Sequence, residues 1–203
     1  MAGKERRQRE RQLLRQEILD AARALFVREG YENVSMRKIA EKIDYSPTTI
    51  YLYFKDKEDL MFAVCEDTFS GLVRELSVVE KASRKDPVEG LKKGLRAYVD
   101  FGLRHPNHYL LSFVIPHQHS DSARYVSPEA MGMKAFAFLP RGIAECIRQK
   151  KFRPVDVQAA SQSLWAAVHG ITSLLIVHRD FPWARKDVLV DTVINAALRY
   201  LKA

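Results

Sequence analysis

Cysteine is scarce in this chain of 203 residues, with only Cys65 and Cys146, far apart and without a second ligand-type residue at metal-binding spacing. That excludes a disulfide-framed mini-protein and a zinc module, and both thiols read as small buried hydrophobes of a reducing compartment. The sequence has no Gly-rich phosphate loop, no H-E-x-x-H and no nucleophile with an evident base, so no catalysis, cofactor or metal is expected. Strand-period alternation, internal repeats and low-complexity tracts are missing as well, which points to an all-α fold. The N-terminus is charged from Lys4 onward and lacks the apolar core of a signal peptide, so a cytoplasmic location is expected. One uncharged run, residues 157–178, has the length of a membrane span. Gln158, Ser161, Gln162, Ser163 and His169 interrupt it, and it reads as a buried core helix, not a membrane contact.

Strong local charge is missing too. The net charge of +8 is spread as +2 over residues 1–60, +3 over 61–150 and +3 over 151–203, so bulk charge does not locate a polyanion site. Residues 1–15 are the exception, with Lys4, Arg6, Arg7, Arg9, Arg11 and Arg15 against Glu5 and Glu10, a local +4. Such an arm could follow phosphates or enter a minor groove, or be a solvated tail.

What is present is a pattern between Ser35 and Leu60. Ser35 can cap a helix whose apolar residues Met36, Ile39, Ala40 and Ile43 recur at i, i+3, i+4 and i+7. Asp44, a residue that tolerates a left-handed turn, and Tyr45 break the pattern. Ser46 and Pro47 then supply the cap and first-position proline of a second helix over residues 47–54. The result is a helix-turn-helix. On the second helix only Ile50 and Phe54 read as core, leaving Thr48, Thr49, Tyr51 and Tyr53 to point outward. Threonine methyls can meet thymine methyls, and hydroxyls can bond base edges or phosphates. The alternative is that these aromatics pack on a neighbouring domain.

The segment resembles the DNA-binding domain of TetR-family transcriptional regulators. The likeness runs through Ala22, Leu25, Phe26, Gly30-Tyr31, Val34-Ser35, Ile39-Ala40, Ser46, Thr49-Ile50-Tyr51, Tyr53-Phe54 and Lys57-Glu58-Asp59-Leu60. It departs at the turn, where the family usually has Ala-Gly-Val-Ser and this chain has Ile43-Asp44-Tyr45-Ser46. The resemblance implies an all-α protein with a three-helix DNA-binding domain over residues 1–57 and a ligand-binding and dimerisation domain of about six helices over residues 58–203. It implies that Arg37 and Thr49 touch bases, that Tyr51, Tyr53 and Lys57 touch the phosphate backbone, and that Ser35 and Thr48 are secondary contacts. It implies further a dimeric regulator of double-stranded DNA, most often a repressor of a palindromic operator, released by a small effector.

Outside this segment the periodicity predicts helices at residues 9–29, 57–79, 87–105, 107–115, 128–150, 156–178 and 185–201, with Pro140 breaking or kinking the fifth and a loop at 117–127. The helix at 156–178 is apolar nearly all round. Its small residues Ala159, Ala160, Ala166, Ala167, Gly170 and Ser173 permit close approach of another helix, and with the last helix it is expected to form the homodimer interface. Trp165, His169 and Gly170 resemble the signature of the family subset with a Trp-His-Gly C-terminal domain. An apolar effector pocket is expected from Phe69, Tyr98, Phe101, Phe113, Phe136, Trp165 and His169, although any one of them could be ordinary core. His105, His108, His117 and His119 fall close in sequence. They offer a second reading as a divalent-metal sensor, and a helical adaptor without DNA binding is a third.

Overall fold

The computed structural model describes residues 2–115 and 122–202. Among the described residues there are eleven α-helices: α1 Ala2–Glu29, α2 Met36–Lys42, α3 Pro47–Tyr51, α4 Lys57–Ala82, α5 Pro87–Arg104, α6 Pro106–Phe113, α7 Ser122–Tyr125, α8 Met131–Phe136, α9 Phe138–Arg148, α10 Val157–Val177 and α11 Lys186–Arg199. The chain divides into two compact units, residues 1–68 with 107–125, and residues 69–106 with 126–203. Their boundary therefore falls inside α4.

The first unit is built on the apolar stripe of α1. Ile18, Leu19, Ala22, Leu25 and Phe26 are buried, as are Ile39 of α2, Ile50 of α3, Leu60, Met61 and Val64 of α4, and Tyr109 and Leu111 of α6. Gly30 ends α1 with φ +82, a conformation that an L side chain rarely adopts. Arg23 interrupts this stripe yet is only 6% exposed. Two carboxylates receive its guanidinium, Asp20 at 2.6 Å and Asp67 at 2.7 Å, so α1 is tied to α4 by a largely buried charge pair.

The second unit packs α5, α9, α10 and α11 around Leu91, Leu95, Val99, Ile143, Leu164, Val168, Ile194 and Leu198. Asp156 caps α10 by accepting from the amides of Gln158 and Ala159. By length and composition α10 could cross a membrane. In this fold Ala160, Leu164, Val168, Ile171, Leu175 and Ile176 bury one side of it within the unit. Arg153 is tied to the chain end, its backbone N–H donating to the Leu201 carbonyl at 3.0 Å and its Nε to the Tyr200 carbonyl at 2.8 Å.

Several boundaries differ from the periodicity. Helix α1 starts at Ala2, not near Arg9, because residues 4–15 are almost all strong helix formers and Arg6 pairs with Glu10 one turn on. The basic arm is thus helical. Helix α3 stops at Tyr51, and residues 52 and 53 continue as a turn. Pro106 opens α6 besides ending α5, and part of the expected loop forms the single turn of α7. The expected helix at 128–150 is two helices joined at Ala137. Pro140 supplies no N–H, and its ring opposes the carbonyl of Phe136 four residues earlier, which places the break there.

Candidate DNA-reading surface and ligand-facing cluster

The turn between α2 and α3 is closed as its residue types require. Ser35 accepts from the Lys38 amide at 3.2 Å. At the other end of α2, Tyr45 N–H donates to the Ala40 carbonyl at 3.0 Å while Asp44 takes the left-handed conformation, φ 58. Asp44 does here what glycine does in the family pattern. Ser46 then caps α3, accepting from the Thr49 amide at 3.2 Å, and its hydroxyl meets that of Thr49 at 2.9 Å. Ile50 and Phe54 are buried at 0% and 2% and fix α3 from behind.

That anchoring leaves an outward face. Thr48 and Arg37 are exposed, Thr49 and Tyr53 are partly so, and Tyr51 is 53% exposed. Arg37 pairs with Glu41 along α2 at 2.9 Å, a solvent-exposed i, i+4 pair that a phosphate or base can displace at little cost. Lys57 is engaged internally: its ammonium donates to the Tyr31 carbonyl at 2.9 Å and lies 4.2 Å from that ring's centroid. Arg11 lies 5.7 Å from the Tyr53 ring centroid and Arg15 5.3 Å from that of Phe54, which brings the basic start of α1 to the same surface.

The aromatic residues expected to line a pocket are partly brought together. Tyr98, Phe136, Trp165 and His169 form one cluster in the second unit. The Tyr98 hydroxyl lies 3.1 Å from His169 Nδ1, and Trp165 Nε1 donates toward that hydroxyl at 3.4 Å. The Trp165 ring packs edge-on against Phe136 at 5.9 Å and lies 5.7 Å from His169. Burial lowers the His169 pKa below its ordinary 6.5, which favours the neutral ring whose Nδ1 can accept from Tyr98. Phe69 and Phe101 belong to the same unit, Phe69 beside Gly132 and Phe101 in the buried core. Phe113 belongs to the first unit, where its ring packs on Tyr109 at 4.9 Å.

Two of the four histidines expected as alternative metal ligands fall among the described residues. His105 caps the end of α5 with its ring 4.9 Å from Phe101, and His108 Nδ1 lies 3.4 Å from the Thr68 hydroxyl. His117 and His119 lie outside the described residues. Among the described residues no three His, Cys, Asp or Glu side chains are grouped for a metal. Both thiols are buried and free, and burial raises each to about 12, so neither is a ready nucleophile or ligand.

Two family models match this architecture, bacterial regulatory proteins of the tetR family over residues 18–64 and the tetracyclin repressor-like C-terminal domain over residues 91–197. The second alone spans more than half the chain. The chain belongs to the TetR family. Members of that family, and the curated relative below, are transcriptional regulators and not enzymes. A curated relative, an HTH-type transcriptional regulator of Staphylococcus aureus, is 35% identical over 72 residues, 36% of this chain and 39% of that protein. This chain thus aligns to about two fifths of that relative's length. Among solved structures, a Rhodococcus protein of unknown function superposes with a TM-score of 0.78 at 22% identity, covering 94% of this chain and 96% of that one. FadR of Bacillus subtilis, solved in complex with stearoyl-CoA, superposes at 0.77 and 18% identity, covering 92% and 98%. At these identities the likeness is one of fold.

The TetR fold draws notice to two residues that periodicity passes over. Leu52 is 71% exposed and Tyr45 44% exposed, both flanking the outward face of α3. Leu52 is apolar but belongs neither to the core pair nor to the outward set of the sequence pattern; the chain leaves α3 one residue earlier and turns it outward. Tyr45 replaces a smaller apolar residue of the family turn, and that departure was the available signal.

Proposed function

We propose that this TetR regulator is a cytoplasmic homodimer that reads a palindromic operator with the Pro47–Tyr51 helix and is released by a small, largely apolar effector, most often as a repressor. The single observation that carries the DNA reading is the outward face of α3. A short helix anchored by Ile50 and Phe54 presents hydroxyl and aromatic side chains to solvent where burial would be the apolar default. Arg37 and Thr49 are assigned to bases, Tyr51, Tyr53 and Lys57 to phosphates, and Ser35 and Thr48 to secondary contacts. Lys57 reaches phosphate only by releasing the Tyr31 carbonyl.

The dimer contact is assigned to α10 and α11. On α10, residues Ala159, Ser163, Ala166, Gly170, Leu174 and Val177 recur at helical spacing and lie on an open side, with Leu174 44% and Val177 47% exposed. A Cβ added at Gly170 would meet nothing within 4 Å. Val188 of α11 is 54% exposed. A small-residue apolar stripe of this length supports close packing against a second copy.

For the effector, the Trp165–Tyr98–His169 chain of polar groups beside Phe136 supplies an apolar lining with a few polar handles. Phe69 and Phe101 complete the assigned set within this unit, and Phe113, which belongs to the other unit, is left out of it. The stearoyl-CoA bound by the B. subtilis FadR fold makes long-chain acyl compounds the first to test. Mobility shift against the DNA flanking the protein's own coding region, with and without acyl compounds, tests the reading. Specific retardation reversed by an acyl compound is expected; equal binding to any DNA would refute it.

A further inference from the structure

Behind the outward face of α3, one carboxylate holds two segments together. Asp59 Oδ2 accepts the backbone N–H of Lys55 at 3.2 Å, and Asp59 Oδ1 accepts from Arg124 Nη2 at 2.9 Å. The Asp59 amide in turn donates to Asp56 Oδ1 at 2.8 Å, a reciprocal arrangement close to a capping box. Lys55 directly follows the buried Phe54, so its N–H closes the stretch that carries Tyr51, Leu52 and Tyr53. Arg124 is itself fixed. Its guanidinium carbon lies 3.7 Å from the Phe62 ring centroid, and Tyr125 packs edge-on against the same ring at 5.1 Å. All these residues belong to the first compact unit.

We infer that Arg124, remote in sequence from the helix-turn-helix, is a positioning residue for DNA reading, acting through Asp59 on the Lys55 amide. The inference rests on the proposed reading of DNA by residues 47–57. A carboxylate with a cation on one oxygen and an amide on the other has one favoured orientation. Asp59 is 29% exposed, so without Arg124 it can turn to water and leave the Lys55 N–H to solvent. The turn that aims Tyr51 and Tyr53 then loses its closing bond. Preorganisation of that turn is lost, and DNA binding must supply the ordering instead.

Arg124→Ala and Asp59→Asn in the full chain separate this role from plain electrostatics. Charge alone predicts opposite signs, because the first removes a cation and the second an anion. Positioning predicts that both weaken binding to a selected operator, by roughly two- to fivefold, and that the double variant loses no more than the worse single one. In DNA-free protein, Lys55 amide exchange should quicken several-fold in both variants while amides of α10 stay unchanged. Unchanged Lys55 exchange overturns the inference, as does tighter binding by Asp59→Asn. A salt slope that falls by about one in Arg124→Ala marks a direct phosphate contact instead, and also overturns it. If Tyr51→Ala leaves operator binding intact, the DNA reading of the segment fails, a result distinct from any change at Lys55.

Discussion

Two surfaces of this regulator expose large apolar side chains, and they differ in what accompanies them. Around α3, Tyr45, Tyr51 and Leu52 stand among Thr48, Thr49, Arg37 and Lys55, hydroxyls and cations that can bond a polar, anionic partner. Along α10, Leu174 and Val177 continue a row of Ala, Ser and Gly without a single charge. Exposure alone does not name a partner. The chemistry beside it does: mixed hydroxyl and cation for nucleic acid, small and dry for another helix.

The comparison can be broken at either surface. Leu174→Glu should have the largest effect, placing a carboxylate in the proposed dimer contact. Monomers are expected by analytical ultracentrifugation, with operator affinity down by about 100-fold or more as two-site binding is lost. An intact dimer would return α10 to the role of an ordinary core helix within one subunit. Tyr51→Ala should lower operator affinity by about 10-fold or more, at ~1–3 kcal/mol per good contact, and leave the dimer whole. Loss of both would show that the two surfaces are not separate. Arg23→Met removes the cation between Asp20 and Asp67. Denaturant unfolding should show a loss of about 2 kcal/mol, below the range for a fully buried pair because both carboxylates reach solvent.

The smallest effect concerns pH. Burial holds His169 below its ordinary 6.5, so the unfolded chain binds this proton more readily than the folded one. Its contribution to stability is complete above about 6.5 and declines as pH falls toward the lowered folded value. His169→Gln should flatten that part of the melting-temperature profile. An unaltered profile would mean that His169 does not titrate differently in the two states.

Legibility differed between the same two regions. The helix-turn-helix is punctuated by residues whose backbone demands are local: Ser35 and Ser46 as caps, Asp44 in the left-handed turn, Pro47 at the first helical position. Asp156 and Pro140 work likewise, which is why α10 and the break near Ala137 were readable. The helical start at Ala2 follows from local helix propensity that apolar periodicity does not report, whereas the outward turn of Leu52 and the burial of Arg23 depend on the surroundings, which no local pattern encodes. The aromatic cluster was half readable. Helical spacing puts Trp165 and His169 on one face of α10, but Tyr98 as their shared partner and the placement of Phe113 in the other unit follow from tertiary packing.

Hydroxyl-radical footprinting on DNA flanking the coding region tests the central claim most directly. Two protected patches related by a dyad, separated by about one helical turn or a multiple of it and lost together in Tyr51→Ala, are predicted. A single patch without a dyad, or protection unaffected by Tyr51→Ala, would contradict a dimer that reads its operator through α3.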